Sequence, residues 1–113
     1  MKRLLTRLFA GALFMSAMAG QSVAAPSETP IGRITFYSGG WTDAIVRVQL
    51  QATFQNPDNC GLIDGYVVDP ALGGAQLFSS ILLTAFTTDQ PVRLVIDGCA
   101  YSRPRIIAVT LQK

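Results

Sequence analysis

The 113-residue chain contains no histidine. That removes the commonest general base, the commonest metal ligand and the usual catalytic triads. Glutamate is almost as scarce, with Glu28 alone near the start. Asp64, Asp69 and Asp97 are the remaining source of a carboxylate pair, but Asp69 precedes Pro70 and Asp97 precedes Gly98, both ordinary turn positions. The two cysteines lack zinc-ligand spacing and partners, and the glycines form no phosphate-binding pattern. There is no internal repeat and no low-complexity tract. The chain is therefore expected to be no enzyme and to carry no metal and no cofactor.

A long apolar run occurs only at the N-terminus. Lys2, Arg3 and Arg7 precede an apolar stretch from Leu8 to Ala19, broken by Gly11 and Ser16, and small residues follow at Ser22-Val23-Ala24-Ala25. This is the three-part pattern of an export signal, with cleavage expected after Ala24. The rival reading, a membrane anchor, needs about 20 apolar residues and no cleavage-like site. We therefore expect a signal peptide over residues 1–24, a flexible leader over 25–31 and one domain over 32–113, exported to the periplasm or secreted, without a stable membrane anchor. The signal takes three of the nine basic residues and none of the seven acidic ones, leaving six against seven and a net charge of −1. Phosphate recognition needs a cationic surface, so no nucleic-acid partner is expected.

About 89 residues then remain, near the size at which a core alone is marginal. In an exported chain Cys60 and Cys99 are read as one structural disulfide, with free thiols or an intermolecular bridge as alternatives. Such a bridge closes a loop of about 40 residues and contributes roughly 4 kcal/mol in the chain-entropy model.

The hydrophobic pattern predicts three strands, a helix and two strands. The first strand spans Gly32 to Ser38, with Ile34 and Phe36 on one face and Thr35 and Tyr37 on the other. A turn cluster over Ser38 to Asp43 leads to the second strand, Ile45 to Phe54, whose apolar residues at 46, 48, 50, 52 and 54 alternate with polar ones. The third runs from Gly61 to Val68, with Gly65 as a bulge. A helix is predicted over Gly74 to Thr87, its apolar stripe formed by Leu77, Phe78, Ile81, Leu82, Ala85 and Phe86. That stripe is read as core, with part of it, extended by Leu83, open to a sister subunit. The fourth strand is Val92 to Asp97, and the fifth is Arg105 to Leu111 with Ile107, Val109 and Leu111 together; Gly98 to Pro104 joins them as a loop.

This order is that of the OB-fold, a mainly β, five-stranded Greek-key barrel with one helix between strands three and four. In it the third and fifth strands run side by side and parallel, which brings Cys60 and Cys99 together. The rival is another small α+β sheet.

Recognition chemistry remains. Trp41, the only tryptophan, lies in the first turn cluster as either a binding surface or a cap on the barrel end. Tyr101 and Arg103 lie in the last loop, one of two that OB-folds use for ligands, as either a binding pair or a solvated loop. Tyr37 is a fourth candidate, alternatively a half-buried sheet residue like Tyr66.

The stretch Phe86-Thr87-Thr88-Asp89-Gln90-Pro91-Val92-Arg93-Leu94 resembles the family of subtilase-cytotoxin-type and pertussis-like toxin B subunits. Gly32-Arg33-Ile34-Thr35, Gly40 and the position of Pro104 are similar as well. The resemblance implies an OB-fold, a homo-oligomeric ring of five and binding of cell-surface glycans, often sialylated. The family's glycan-contacting serine has no counterpart in Thr29-Pro30-Ile31, and its fourth-strand tyrosine falls at about Ile96, so sialic-acid recognition is not carried over by residue. The expectation is a secreted binding module for a glycan or protein partner. The alternative is a stand-alone periplasmic or envelope protein with a structural or inhibitory role and no toxin partner.

Overall fold

A computed structural model describes residues 25–40 and 42–113. The expected signal peptide and Trp41 lie outside the described residues. The strands are β1 (Ser27–Glu28), β2 (Gly32–Gly40), β3 (Ile45–Leu50), β4 (Tyr66–Val68), β5 (Pro91–Ala100) and β6 (Arg103–Leu111); the helix α1 (Ala75–Thr88) lies between β4 and β5.

Alternating apolar residues pair β2 with β3 and β3 with β4, both antiparallel. Val67 then pairs in parallel with Arg105 of β6, β6 pairs antiparallel with β5, and β5 returns to β2 at Gly32 and Arg33. The circuit β2-β3-β4-β6-β5-β2 is closed, so the mainly β, OB-fold-like order expected from the sequence is present. Val48, Tyr66, Val68, Val92, Leu94, Ile96 and Ile106 fill the interior, and Leu82 and Ala85 of α1 pack against them.

Two bulges change which residues face inward. The β2–β3 register shifts between Ile34 and Phe36. Ile34 lies opposite Leu50 and Tyr37 opposite Val48, so Tyr37 packs on the core while Phe36 lies opposite Gln49. The strict alternation read from the sequence grouped Ile34 with Phe36; the extra residue, Thr35, breaks that period. In β6 the register shifts again, with Val95 opposite Ala108 and Ile96 opposite Ile106. Ile107 is the extra residue, so Ile106 takes the core side in its place. Val109, opposite Leu94, packs on the core as expected, while Leu111, opposite Val92, is exposed at the strand end. Pro104 is buried as well.

Strand lengths also differ from expectation. β3 stops at Leu50 rather than Phe54: Gln51 N still donates to the Arg33 carbonyl of β2 at 2.8 Å, but by Gln55 the backbone N–H has turned to the Tyr66 hydroxyl at 2.8 Å. Phe54 still reaches the core and packs against the Tyr66 ring at 4.9 Å. β4 keeps only three of its expected residues, since Gly65 adopts φ +136° and a side chain there would meet the Val48 carbonyl. β5 and β6 extend through the expected loop and meet at a two-residue turn, Tyr101-Ser102, with φ of 51° and 66°.

The leader is tied down rather than free. Ser27 and Glu28 pair with Ile96 and Val95. Thr29 is buried, its N–H donates to the Leu94 carbonyl at 2.9 Å, and its hydroxyl accepts the Leu94 N–H at 3.1 Å. Of the helical stripe, Leu82 and Ala85 are buried, whereas Leu77 and Phe86 are exposed together with Leu83. Among the described residues no helix is long and apolar enough to cross a membrane.

The Thr29 pairing generates a stability prediction. Thr29→Val keeps the shape but leaves the buried Leu94 N–H without its acceptor. We expect a loss of about 1–3 kcal/mol in urea unfolding, with Thr29→Ser close to the parent. Equal stability of the parent and the valine variant would contradict the contact.

Candidate functional site

The β5–β6 hairpin is held from below by the irregular segment between β3 and β4. Cys60 and Cys99 are disulfide-bonded, with Cα atoms 5.7 Å apart. The Asn56 side chain fixes Cys60 from both sides, accepting its N–H at 2.8 Å and donating to its carbonyl at 2.9 Å. Asp58 accepts the Gly98 N–H at 2.8 Å, and Leu62 N donates to the Ser102 carbonyl at 2.8 Å. Arg103 then donates to both Asp64 oxygens, from Nε at 2.6 Å and from Nη2 at 3.0 Å. This bidentate geometry is the strong form of a guanidinium–carboxylate contact.

Asp64 is also gripped from β3. Arg47 Nη1 donates to its carbonyl at 2.6 Å and lies 3.2 Å from Oδ2, and Gln49 Nε2 donates to the same carbonyl at 3.0 Å. The Arg47 guanidinium sits over the Phe36 ring at 4.6 Å. The Arg103 hydrogen bond, assisted by the charges of Arg103 and Arg47, holds the Asp64 carboxyl below its ordinary range despite some desolvation.

The clamped hairpin faces the turn that follows β2. Between them lies an open groove of about 460 Å³, with Thr42 and Asp43 on one side, Tyr101 and Arg103 on the other, and Arg47 contributed by β3. Tyr101 stands 45% exposed at the hairpin tip. Both turn residues are left-handed, as a type I′ hairpin requires, yet neither is glycine or asparagine.

The four sequence candidates separate. Tyr101 and Arg103 share the groove. Arg103 is not a free donor: Nε and Nη2 go to Asp64, and Nη1 donates to the Tyr101 carbonyl at 3.1 Å. Its geometry is that of a group positioning Tyr101. Trp41 lies outside the described residues, although its neighbours Gly40 and Thr42 both line the groove. Tyr37 is elsewhere. Its hydroxyl donates to the Ser79 carbonyl at 3.1 Å, its ring stacks on Phe86 at 5.9 Å, and burial pushes its phenol up. It borders a second, more apolar groove of about 510 Å³ between the β2–β3 hairpin and the start of α1.

Sequence reasoning did not single out Asp43, Arg47 or the pairing role of Asp64. Asp43 lay within a recognised turn cluster, but nothing in the chain signals that Asp64 will meet Arg103.

No family pattern matches this sequence, and no curated protein matches it. Among solved structures, human heat-labile enterotoxin crystallised in complex with a blood group A antigen analog is similar. The TM-score is 0.55 at 12% identity, covering 78% of this chain and 86% of that one. At that identity the likeness is one of fold. It supports the same mainly β fold for this chain.

The Asp64 clamp makes stability acid-sensitive. A carboxyl whose folded value is depressed contributes above its unfolded value, about 3.9 for aspartate, and that contribution disappears as pH falls through the folded value. We expect Asp64→Asn to melt lower than the parent at pH 7 and to lose less on acidification below about pH 4. Parallel melting curves for parent and variant across that window would refute the assignment.

Proposed function

We propose that the protein is an exported, non-catalytic binding module of the toxin B-subunit type, and that its groove between the β2–β3 turn and the β5–β6 hairpin takes a glycan. One observation carries this reading. The two segments bounding the groove are those that OB-folds use for ligands, and one of them presents Tyr101 exposed on a rigidly anchored tip. An aromatic face with a hydroxyl, set among polar groups, suits a sugar ring. The neighbouring enterotoxin structure, with a blood group A antigen analog bound, supports a glycan as the ligand class. The disulfide and the N-terminal pattern support export.

Assembly belongs to the same reading. Over its 14 residues α1 has no charged side chain and leaves Leu77, Leu83 and Phe86 exposed. Further copies of this chain are the occupant we assign to that face, as the ring of five implied by the family resemblance would require. The absence of charge suits self-association, since identical faces meet without repulsion.

Glycan-array screening of the purified exported protein tests the function. We expect binding to a restricted glycan set, weakened about tenfold by Tyr101→Ala, the loss of one aromatic contact. A negative array would remove the glycan reading. A protein captured through Tyr101 in its place would favour a protein partner, and neither would favour a structural or inhibitory envelope protein. Assembly is read separately by light scattering at micromolar concentration. The parent is expected well above the monomer mass and Leu83→Asp at the monomer mass; a monomeric parent would end the assembly proposal.

A further inference from the structure

A third, smaller groove of about 280 Å³ adjoins the one beside Tyr101, with Gln49, Phe54, Ile63 and Asp64 in its lining. The partition between the two is one residue thick. Arg47 and Arg103 line the groove beside Tyr101, and both bond Asp64, which lines the smaller one. Arg47 Nη1 and Gln49 Nε2 donate to the same Asp64 carbonyl, at 2.6 and 3.0 Å, so one donor of that pair belongs to each groove. Val48 between them is fully buried. Arg47 and Gln49 therefore share the outer face of β3, about 7 Å apart along the strand. Gly65 leaves room at this join, since a side chain there would come 3.1 Å from Arg47 Cγ and 3.4 Å from Gln49 Cγ.

The smaller groove has the chemistry of a sugar subsite. Ile63 stands 72% exposed and outside the core cluster, on a segment held by the disulfide and the Leu62–Ser102 bond. It supplies an apolar wall that the fold itself does not use. The Gln49 side-chain carbonyl accepts no hydrogen bond among the described residues. Past the end of the β2–β3 ladder, the N–H groups of Ala52 and Phe54 likewise bond no acceptor among the described residues. Free donors and an acceptor beside an apolar wall match the hydroxyls and the C–H face of a pyranose. The arrangement also follows the barrel. β3 and β4 are its second and third strands, whose face OB-folds use, together with the two loops already described, to bind oligosaccharides.

Resting on the glycan reading above, we infer that the site takes an oligosaccharide of at least three residues rather than a single terminal sugar. One residue lies against Tyr101, the chain crosses the Arg47–Asp64–Gln49 join, and a further residue lies between Gln49 and Ile63. Gln49 and Ile63 then determine the preference for chain length, while Asp64, engaged by both arginines, is the saddle over which the chain passes.

The test compares glycans that share a terminus and differ in length, using the exported protein. The pairs are N-acetyllactosamine against lacto-N-neotetraose, the blood group A trisaccharide against its hexasaccharide, and the strongest array hit against its own terminal disaccharide. In the pairs that bind, we expect the longer member to bind about tenfold tighter. Ile63→Ser, at an exposed position, and Gln49→Ala should each weaken the longer member several-fold more than the shorter one. Tyr101→Ala should weaken both members alike. Equal affinities within the pairs, a strongest hit of only one or two sugars, or a length advantage that survives both Ile63→Ser and Gln49→Ala would overturn the inference and leave the glycan reading intact. Failure of the folded protein to bind any glycan, on these probes and on the full array, would overturn both.

Discussion

The fastening of residues 56–64 onto the β5–β6 hairpin is the constraint on which the rest of this structure depends. The barrel closes through a single parallel register pair, Val67 with Arg105, beside a β4 of three residues. Parallel pairing is slightly weaker per residue than antiparallel pairing, and one register pair is little to close a ring. The disulfide and the Asp64–Arg103 fork hold the approaches to β4 and β6 together beside that pair. A chain this short has a limited core, so a covalent link that restricts the unfolded state matters more here than in a larger domain. The same fastening sets the position of Tyr101, which joins barrel closure and site geometry in one group of contacts.

The bulge at Thr35 extends that connection to β2 and β3. By breaking the period it sends Tyr37 to the core side and Phe36 to the other face. Phe36 then provides the surface over which Arg47 lies, and Arg47 reaches Asp64. Were Thr35 to take a regular place in the ladder instead of bulging, Phe36 and Tyr37 would exchange faces. Both the Tyr37–Ser79 bond to the helix and the support beneath Arg47 would go with that exchange. A local irregularity in one strand thereby controls contacts on two sides of the barrel.

Element order and the Cys60–Cys99 link were legible in the sequence because they leave long-period signals: alternation in β3, a helical stripe over 77–86, and cysteines placed where an OB-fold joins two strand ends. Bulges leave no such mark. Thr35 and Ile107 are ordinary β-branched strand residues, and only the partner strand's register shows that each is extra. The leader was misread because Thr29 is polar, and its burial depends on pairing with Leu94, 65 residues away. At the site, Tyr101 and Arg103 were legible as an OB-fold loop. The commitment of Arg103 to Asp64 was not, because a contact spanning 39 residues has no local signature.

The Tyr101-Ser102 turn holds a residue against its backbone preference without adding to the core. A two-residue type I′ turn favours Asn-Gly or Gly-Gly, because both positions need positive φ. A bulky residue held there stores strain of order 1–3 kcal/mol, and it persists only when surrounding contacts over-determine it. Those contacts are present: the Leu62–Ser102 bond, the Arg103 bond to the Tyr101 carbonyl, and the disulfide two residues before the tip. In return the barrel gains little, since the Tyr101 side chain is outside the core cluster and nearly half exposed. Folding alone would be served better by glycine at 101. The aromatic ring makes physical sense as a surface offered to something outside the chain, and the fastened hairpin is what allows it to be held there against its backbone preference.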